Sequence, residues 1–283
     1  MLTNYLIGLH EGVEAALVVG AFSGYLVRTG DRGGLPSVWS GTGVAVAFSL
    51  GSALVLRFVP ARAQFTAVEA FGGTMSVLAA ALVTWLVFRM RRASRQELAA
   101  PGNSAFAAAA FAVTSREGPG TALFLGSTIR ATGTTAAPVT GAVLGLASAV
   151  ALGYLLYSCA ARPSSTRVRT WAGAALLVLI AGMLTHGVHD LQEAGWLPGM
   201  QAVAFDMSAA IPPASWHGAL LRGVFNVRPS LTWVEVVAWL AYLLPAMYLF
   251  LRPVKSGVPA AQPPGRDRSG PAPAGSPPRS SPS

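Results

Sequence analysis

Residues 10–20 read HEGVEAALVVG and place two carboxylates, Glu11 and Glu14, inside an apolar run long enough to span a membrane. An ionised side chain at the centre of a helix in lipid costs about 2.5–3.5 kcal/mol on insertion scales, so such residues usually serve a function. The simpler interpretation is a helix end whose acids lie among lipid headgroups or in water. A related stretch further along the chain favours the functional interpretation.

The composition is that of an integral membrane protein with many spans. Of 283 residues, 53% are hydrophobic and 11% are charged, whereas a soluble domain has a charged fraction of about 25%. The net charge of +9 comes mainly from arginines in short loops between apolar runs, which argues against nucleic acid as a partner. Cys159 is the only cysteine, so one chain offers neither a disulfide framework nor a cysteine metal site.

The apolar runs predict an all-α protein with about seven transmembrane helices. Each run approaches or exceeds the roughly 20 residues that cross a bilayer. The first run lacks a basic leader and is too long for a signal peptide, so we expect it to be retained. The predicted spans are about 3–27, 37–59, 67–88, 104–127, 136–160, 170–188 and 231–251.

The basic residues predict the orientation. Of the 20 Lys and Arg, 14 fall in the loops after spans one, three and five and in the tail, and 5 on the opposite side. Because basic loops stay cytoplasmic, the N-terminus is predicted outside and the C-terminus inside. Residues 1–252 would form the seven-helix membrane domain. Residues 253–283, rich in Pro, Ser and Gly, are predicted to be a disordered cytoplasmic tail.

A second copy of the opening stretch lies in the predicted fourth span. Residues 116–126 read REGPGTALFLG, and an offset of 106 aligns Glu11 with Glu117 and Gly12 with Gly118. The same offset aligns basic His10 with Arg116. Each repeat, about 3–88 and 104–190, contains three spans. Because three is an odd number, the second repeat must cross the membrane in the opposite orientation to the first. This predicts a 3+3 inverted repeat plus a seventh helix, an architecture that holds substrate near the membrane midplane.

The residue types predict a cation site. Glu11 and Glu14 are three residues apart and share one helix face. Glu117 would supply a third oxygen donor from the opposite repeat, and such hard ligands suit iron(III), manganese, magnesium or calcium. His10 is either a borderline ligand or a proton-sensitive gate, and Arg116 is expected to hold Glu117 in place.

A second set of polar residues closes the sixth span on one helical face at the outer boundary. Its spacing is i, i+3, i+4 and i+7, and one interpretation is a metal site where ions would first bind, with Glu69 nearby. The other is an ordinary polar helix end in which His189 and Asp190 satisfy each other or the helix cap. The residues are His186, His189, Asp190 and Glu193.

These features resemble the oxidase-dependent iron transporter family, which comprises the fungal high-affinity iron permeases and bacterial EfeU. The family pattern is Arg-Glu-x-x-Glu in the first and fourth spans, matched here by residues 10–14 and 116–120. The segment 179–198, Phe205-Asp206 and the tract 233–253 look like actinobacterial EfeU. The likeness covers the chain up to its tail.

The resemblance implies seven spans and import of iron(III) into a bacterium across its cytoplasmic membrane. It implies Glu11, Glu14 and Glu117 as ligands and Arg116 as the motif arginine. Iron would be the transported substrate, with no cofactor and no enzymatic activity expected. An exported cupredoxin-like iron-binding protein and a haem peroxidase are the partners that the family suggests, alongside membrane lipid.

Two departures from the pattern leave alternatives open. His10 replaces the first arginine, and Gly120 replaces the last glutamate of the second motif. A less negative site favours a divalent ion such as iron(II), lead or manganese, or a non-transporting homologue. His10-Glu11-x-x-Glu14 also half resembles a zinc-protease helix, but the second histidine of that motif is Glu14 here.

Overall fold

The computed structural model describes residues 2–56, 58–93, 101–116, 118–133, 136–161, 166–207 and 230–252. Most of these residues are in helices. The other described elements are one short β-hairpin and a 3₁₀ turn at Arg32–Gly34. In order, the elements are α1 Leu2–Thr29, α2 Leu35–Leu56, α3 Ala61–Ala93, α4 Asn103–Ser115, α5 Gly118–Thr132, α6 Ala136–Ala161, α7 Thr166–Glu193, β1 Val203–Asp206, β2 Ser230–Thr232 and α8 Trp233–Leu251.

Six of the described helices are long and apolar enough to cross a membrane, namely α1, α2, α3, α6, α7 and α8. The all-α membrane class predicted from the sequence is thereby confirmed. The predicted fourth span differs: residues 104–127 form two shorter helices, α4 and α5, rather than one continuous helix. The predicted tail, 253–283, lies outside the described residues.

Helices from the two halves of the chain pack in a reciprocal pattern. α1 lies against α6, α2 lies against α4 and α5, and α3 lies against α7, with α8 beside α7. The apolar core joins Phe22, Leu86, Phe106 and Ile180 from α1, α3, α4 and α7. Large apolar side chains on α2, α6 and α8 face outward, as expected for helices in contact with lipid.

Small residues allow the closest helix approaches. A Cβ added to Gly12 would lie 2.6 Å from Ala149 Cβ on α6. At the crossing of α3 and α7, a Cβ on Gly73 would lie 2.8 Å from the Gly187 carbonyl oxygen. Membrane helices use small residues in this way because dispersion contacts, rather than water exclusion, hold them together.

The hairpin lies between α7 and α8. β1 and β2 pair antiparallel, with Asp206 opposite Ser230, and β2 leads directly into α8. α7 ends at Glu193, and Gly195, two residues later, has a φ of 77°, a left-handed conformation that glycine adopts at little cost. The amide of Trp196 then bonds the Leu191 carbonyl at 2.9 Å, which satisfies an acceptor at the helix end.

Candidate functional site

A helix break marks the second motif. α4 ends at Ser115 and α5 begins at Gly118, so Arg116 lies between two helix ends. Pro119 explains the break: its ring would clash with the carbonyl of Ser115 four residues earlier, and it has no N–H to donate. The length of the apolar run had predicted one span here, about residues 104–127. The observed break brings helix ends, with their unpaired backbone groups, to the middle of that span.

The two carboxylates of the first motif lie on α1, which continues unbroken through them. Glu14 is buried at 4% exposure, whereas Glu11 is half-buried. Their spacing of three residues places both on the side of α1 that meets the broken span. The predicted shared face is therefore the face that carries the site.

Arg116 pairs with Glu14. Its Nη2 lies 2.5 Å from Glu14 Oε2, and the side chains are 1% and 5% exposed. Arg116 Nη1 also donates to Ser76 Oγ on α3 at 3.4 Å. Breaking a buried pair by removing one partner typically costs about 3–5 kcal/mol, so each of these two residues depends on the other. Glu117, the partner predicted for Arg116, lies outside the described residues.

Thr121 is a site residue that sequence reasoning missed. Its Oγ1 donates a hydrogen bond to Glu11 Oε2, which joins α5 to α1. The spacing held a signal: Thr121 follows Glu117 by four residues, and positions four apart share a helix face. Its hydroxyl adds a neutral oxygen next to a carboxylate.

His10 and Gly120, the two departures from the motif, lie on the same pair of helices. His10 is half-buried on α1, and its buried Nδ1 makes no hydrogen bond within the described residues. Gly120 on α5 has open space, because an added Cβ would meet only Val68 Cγ1, at 3.8 Å.

The predicted outer set divides into two groups. His186 Nε2 lies 3.6 Å from Asp190 Oδ1. A Cβ on Gly72 would lie 3.3 Å from Asp190 Oδ2 and 3.5 Å from the Arg116 carbonyl, so Asp190 reaches the helix break rather than only the outer surface. Glu69, half-buried, lies three residues before Gly72 on α3.

The second outer group centres on His189. Its Nε2 lies 3.0 Å from Glu193 Oε1, and its Nδ1 lies 2.8 Å from Oε1 of Glu235, which is fully buried. The contacts of His189 with Glu193 and Glu235 suit the interpretation as a polar helix end, because residues four apart on a helix meet. Sequence reasoning did not predict the contact of His189 with Glu235, which lies on a different helix.

Glu235 also caps α8. The Thr232 amide donates to Glu235 Oε2 at 2.5 Å, and the Glu235 amide donates to Thr232 Oγ1 at 3.3 Å. This is a capping box, and the Thr-x-x-Glu spacing was its signal in the sequence. Because Thr232 Oγ1 also bonds Gln192 Oε1 at 3.1 Å, the start of α8 is tied to the end of α7.

The part of the chain that the structure describes brings no three His, Cys, Asp or Glu side chains together in an arrangement that could hold a metal ion. The contacts instead connect the described site residues through hydrogen bonds and ion pairs. Oxygen donors predominate near the helix break, a chemistry that suits hard and borderline cations.

Comparison with known proteins identifies the class of transporter. Residues 1–255 match the iron permease FTR1 family. The chain belongs to this family. It is 33% identical over 275 residues to the ferrous iron permease EfeU of Escherichia coli O6:H1, strain CFT073, which covers 93% of this chain and 99% of that protein. It is 29% identical over 269 residues to the ferrous iron permease EfeU of Yersinia pestis, covering 90% and 95%.

The match spans the described helices, so this iron permease is a multi-pass protein of the bacterial cell membrane. The resemblance noted in the two motifs is confirmed. No solved structure matches the permease. The relatives' names describe transporters, in agreement with the expectation that the permease is not an enzyme.

Proposed function

We propose that the permease imports iron(II) through a site formed by α1 and the broken fourth span. The observation that carries this proposal is the convergence of Glu11, Glu14, Arg116 and Thr121 at the helix break. Glu11 and Glu14 would supply carboxylate oxygens, together with Glu117. Arg116 would hold Glu14 in position until the ion arrives.

The proposed oxidation state rests on charge. Arg116 offsets the charge of Glu14, and Gly120 and Thr121 are neutral where a further carboxylate would strengthen binding of a trivalent ion. The E. coli and Yersinia relatives are both named ferrous iron permeases. Iron(III), which the motif resemblance implies, is the second candidate, and other divalent ions such as manganese and lead are competitors to test.

The reciprocal packing supports an inverted repeat. The first helix of each half lies against the second helix of the other half, and the third helices lie against each other. This pattern is what a two-fold axis between the halves would produce. We therefore propose that residues 2–93 and 103–193 are the two repeats, with the site where α1 meets the helix break.

The outer residues suggest a route to the site. His186 and Asp190 form a pair near the end of α7. Gly72 on α3 lies close to both Asp190 and the Arg116 carbonyl at the helix break. We propose that these two, with Glu69, attract cations toward the site, while His189, Glu193 and Glu235 hold α7 to α8. The exported cupredoxin-like protein and haem peroxidase would deliver iron on this side.

Uptake of radioactive iron into proteoliposomes tests the function and the site. Iron(II) kept reduced with ascorbate and iron(III) citrate are compared, first alone and then against excess manganese or lead. Glu11→Gln and Glu14→Gln should reduce iron(II) uptake by at least about tenfold, because each removes a charged ligand without changing side-chain size. Asp31→Asn, at an exposed loop, is the matched control.

Three results would contradict parts of the proposal. Uptake of iron(III) but not iron(II) would reverse the oxidation state. Wild-type uptake by the two glutamine variants would refute the site. A wild-type protein that transports neither ion, although correctly inserted, would favour a non-transporting homologue.

A further inference from the structure

The ion pair at the site joins the two repeats. Arg116 is the first residue of the second motif, and Glu14 is the last residue of the first motif. The pair therefore runs crosswise, from the start of one motif to the end of the other. A two-fold axis relating the repeats would generate a second crosswise pair from the remaining two positions.

The repeat alignment identifies those positions. The offset of 106 carries Arg116 onto His10 and Glu14 onto Gly120. The same alignment is visible in the packing of the motif glycines. A Cβ on Gly12 would crowd Ala149 on α6, the second helix of the other repeat. A Cβ on its counterpart Gly118 would overlap Ser49 on α2.

Neither residue at these positions is a fixed charge. The imidazole of His10 has no obligatory charge, and Gly120 has no side chain. The Nδ1 of His10 is buried without a hydrogen bond in the described part of the chain, and a Cβ at 120 would have room. Both observations are compatible with larger side chains at positions 10 and 120 that would pair with each other.

We propose that His10 and Gly120 occupy the two places of a second ion pair that this chain lacks. The two departures are then one paired change. An arginine at position 10 beside Gly120 would be a buried charge without its carboxylate, which is strongly unfavourable. His10 with Gly120 avoids an arginine that lacks its carboxylate partner.

The paired change makes the site asymmetric. One side has the Arg116–Glu14 pair, whereas the other, called the open side, has His and Gly at positions 10 and 120. In the proposed import function, on which this step rests, the open side is where the cation would first contact the site. A site with one fixed ion pair and one open side differs from a symmetric one in how it discriminates between ions of different charge.

A double-mutant cycle tests the pairing. The variants are His10→Arg, Gly120→Glu and both together, each measured for thermal unfolding in detergent and for iron uptake in proteoliposomes. His10→Arg alone should lower the unfolding temperature by about 5 °C or more and uptake by about tenfold, because it buries an unpaired charge near a cation. The double variant should recover most of both losses.

Gly126→Glu provides the matched control, since Gly126 lies on the same helix and an added Cβ there meets nothing within 4 Å. Combined with His10→Arg, it should recover neither property. Equal recovery by Gly126→Glu, or strictly additive effects of His10→Arg and Gly120→Glu, would overturn the pairing. The unfolding temperatures of the four proteins measure the pairing even if the protein transports no iron. A failure of this inference can therefore be told apart from a failure of the proposed function.

A crosslinking experiment covers variants that fail to fold. His10→Cys with Gly120→Cys, in a Cys159→Ser background, should be joined by a short bifunctional methanethiosulfonate reagent. His10→Cys with Gly126→Cys should not be joined. Crosslinking of the cysteines at positions 10 and 126, but not of those at 10 and 120, would show that positions 10 and 120 do not face each other.

Discussion

At the scale of single residues, the site depends on which polar groups are charged and which are neutral. The buried Glu14 carboxylate faces a guanidinium, whereas the half-buried Glu11 accepts from the hydroxyl of Thr121. A hydroxyl next to a carboxylate can donate to it or offer its own oxygen to an ion. Thr121 is therefore in a position to affect how tightly a cation is held at Glu11.

Thr121→Val should raise the KM for iron uptake by about tenfold, because a hydrogen bond to a charged group is worth about 1.5–3 kcal/mol. The change keeps the side-chain shape and removes only the hydroxyl. Thr121→Ser should behave like the wild type, since it restores the hydroxyl. Initial rates of radioactive iron uptake over a range of concentrations give the measurement.

Thr128→Val on the same helix is the control, because within the described residues the Thr128 hydroxyl donates only to the backbone carbonyl of Phe124. A KM that is the same for Thr121→Val, Thr121→Ser and the wild type would show that the hydroxyl does not act on the ion.

At the scale of helices, glycine and proline determine how close the elements approach and where they stop. Pro119 divides the fourth span into α4 and α5 at the second motif. Gly73 and Gly187 allow α3 and α7 to cross closely. α3 also carries Ser76, which bonds Arg116, and Gly72, whose added Cβ would lie near both Asp190 and the Arg116 carbonyl, so the third helices contribute to the proposed site.

Gly73→Ala should destabilise the permease by about 1–3 kcal/mol, because overpacking a close contact forces the backbone apart. An added Cβ would lie 2.6 Å from Leu191 Cγ and 2.8 Å from a backbone oxygen. Thermal unfolding in detergent measures the change. Gly51→Ala is the matched control, since a Cβ there meets nothing within 4 Å, and an equal effect of both substitutions would refute the role of the crossing.

At the scale of the whole molecule, the helices pair across the two halves rather than within them. Each half is buried against the other by these pairs: α1 packs against α6, and α2 packs against α4 and α5. Such an arrangement places the first and fourth spans side by side only when both halves are folded. The site is thus a property of the complete membrane domain, and neither motif alone would form it.

The predicted orientation can be tested by cysteine labelling in a Cys159→Ser background. Trp196→Cys, in an exposed turn after α7, should react with an impermeant maleimide added to intact cells. Arg32→Cys, in the exposed turn after α1, should react only in inside-out vesicles. The reason is that the arginine-rich loops are expected on the cytoplasmic side. The opposite labelling pattern would contradict an external N-terminus.

The sequence by itself determined the membrane-spanning character, the shared face of Glu11 and Glu14, and the second motif. Hydropathy and helical spacing are local properties, and neither depends on how the spans pack. Pro119 is also a local signal, because its ring acts on its own helix. The length of the span nevertheless suggested one helix, since apolar length does not record where backbone hydrogen bonding stops.

Only the tertiary structure decided which charges meet. Arg116 pairs with Glu14 from another span, Thr121 reaches Glu11, and His189 lies between Glu193 and Glu235. These contacts follow from the crossing of helices that are distant in the chain. A repeat alignment identifies corresponding positions, but the distance between two such positions is set by packing. The crosswise ion pair was therefore outside what sequence spacing could predict.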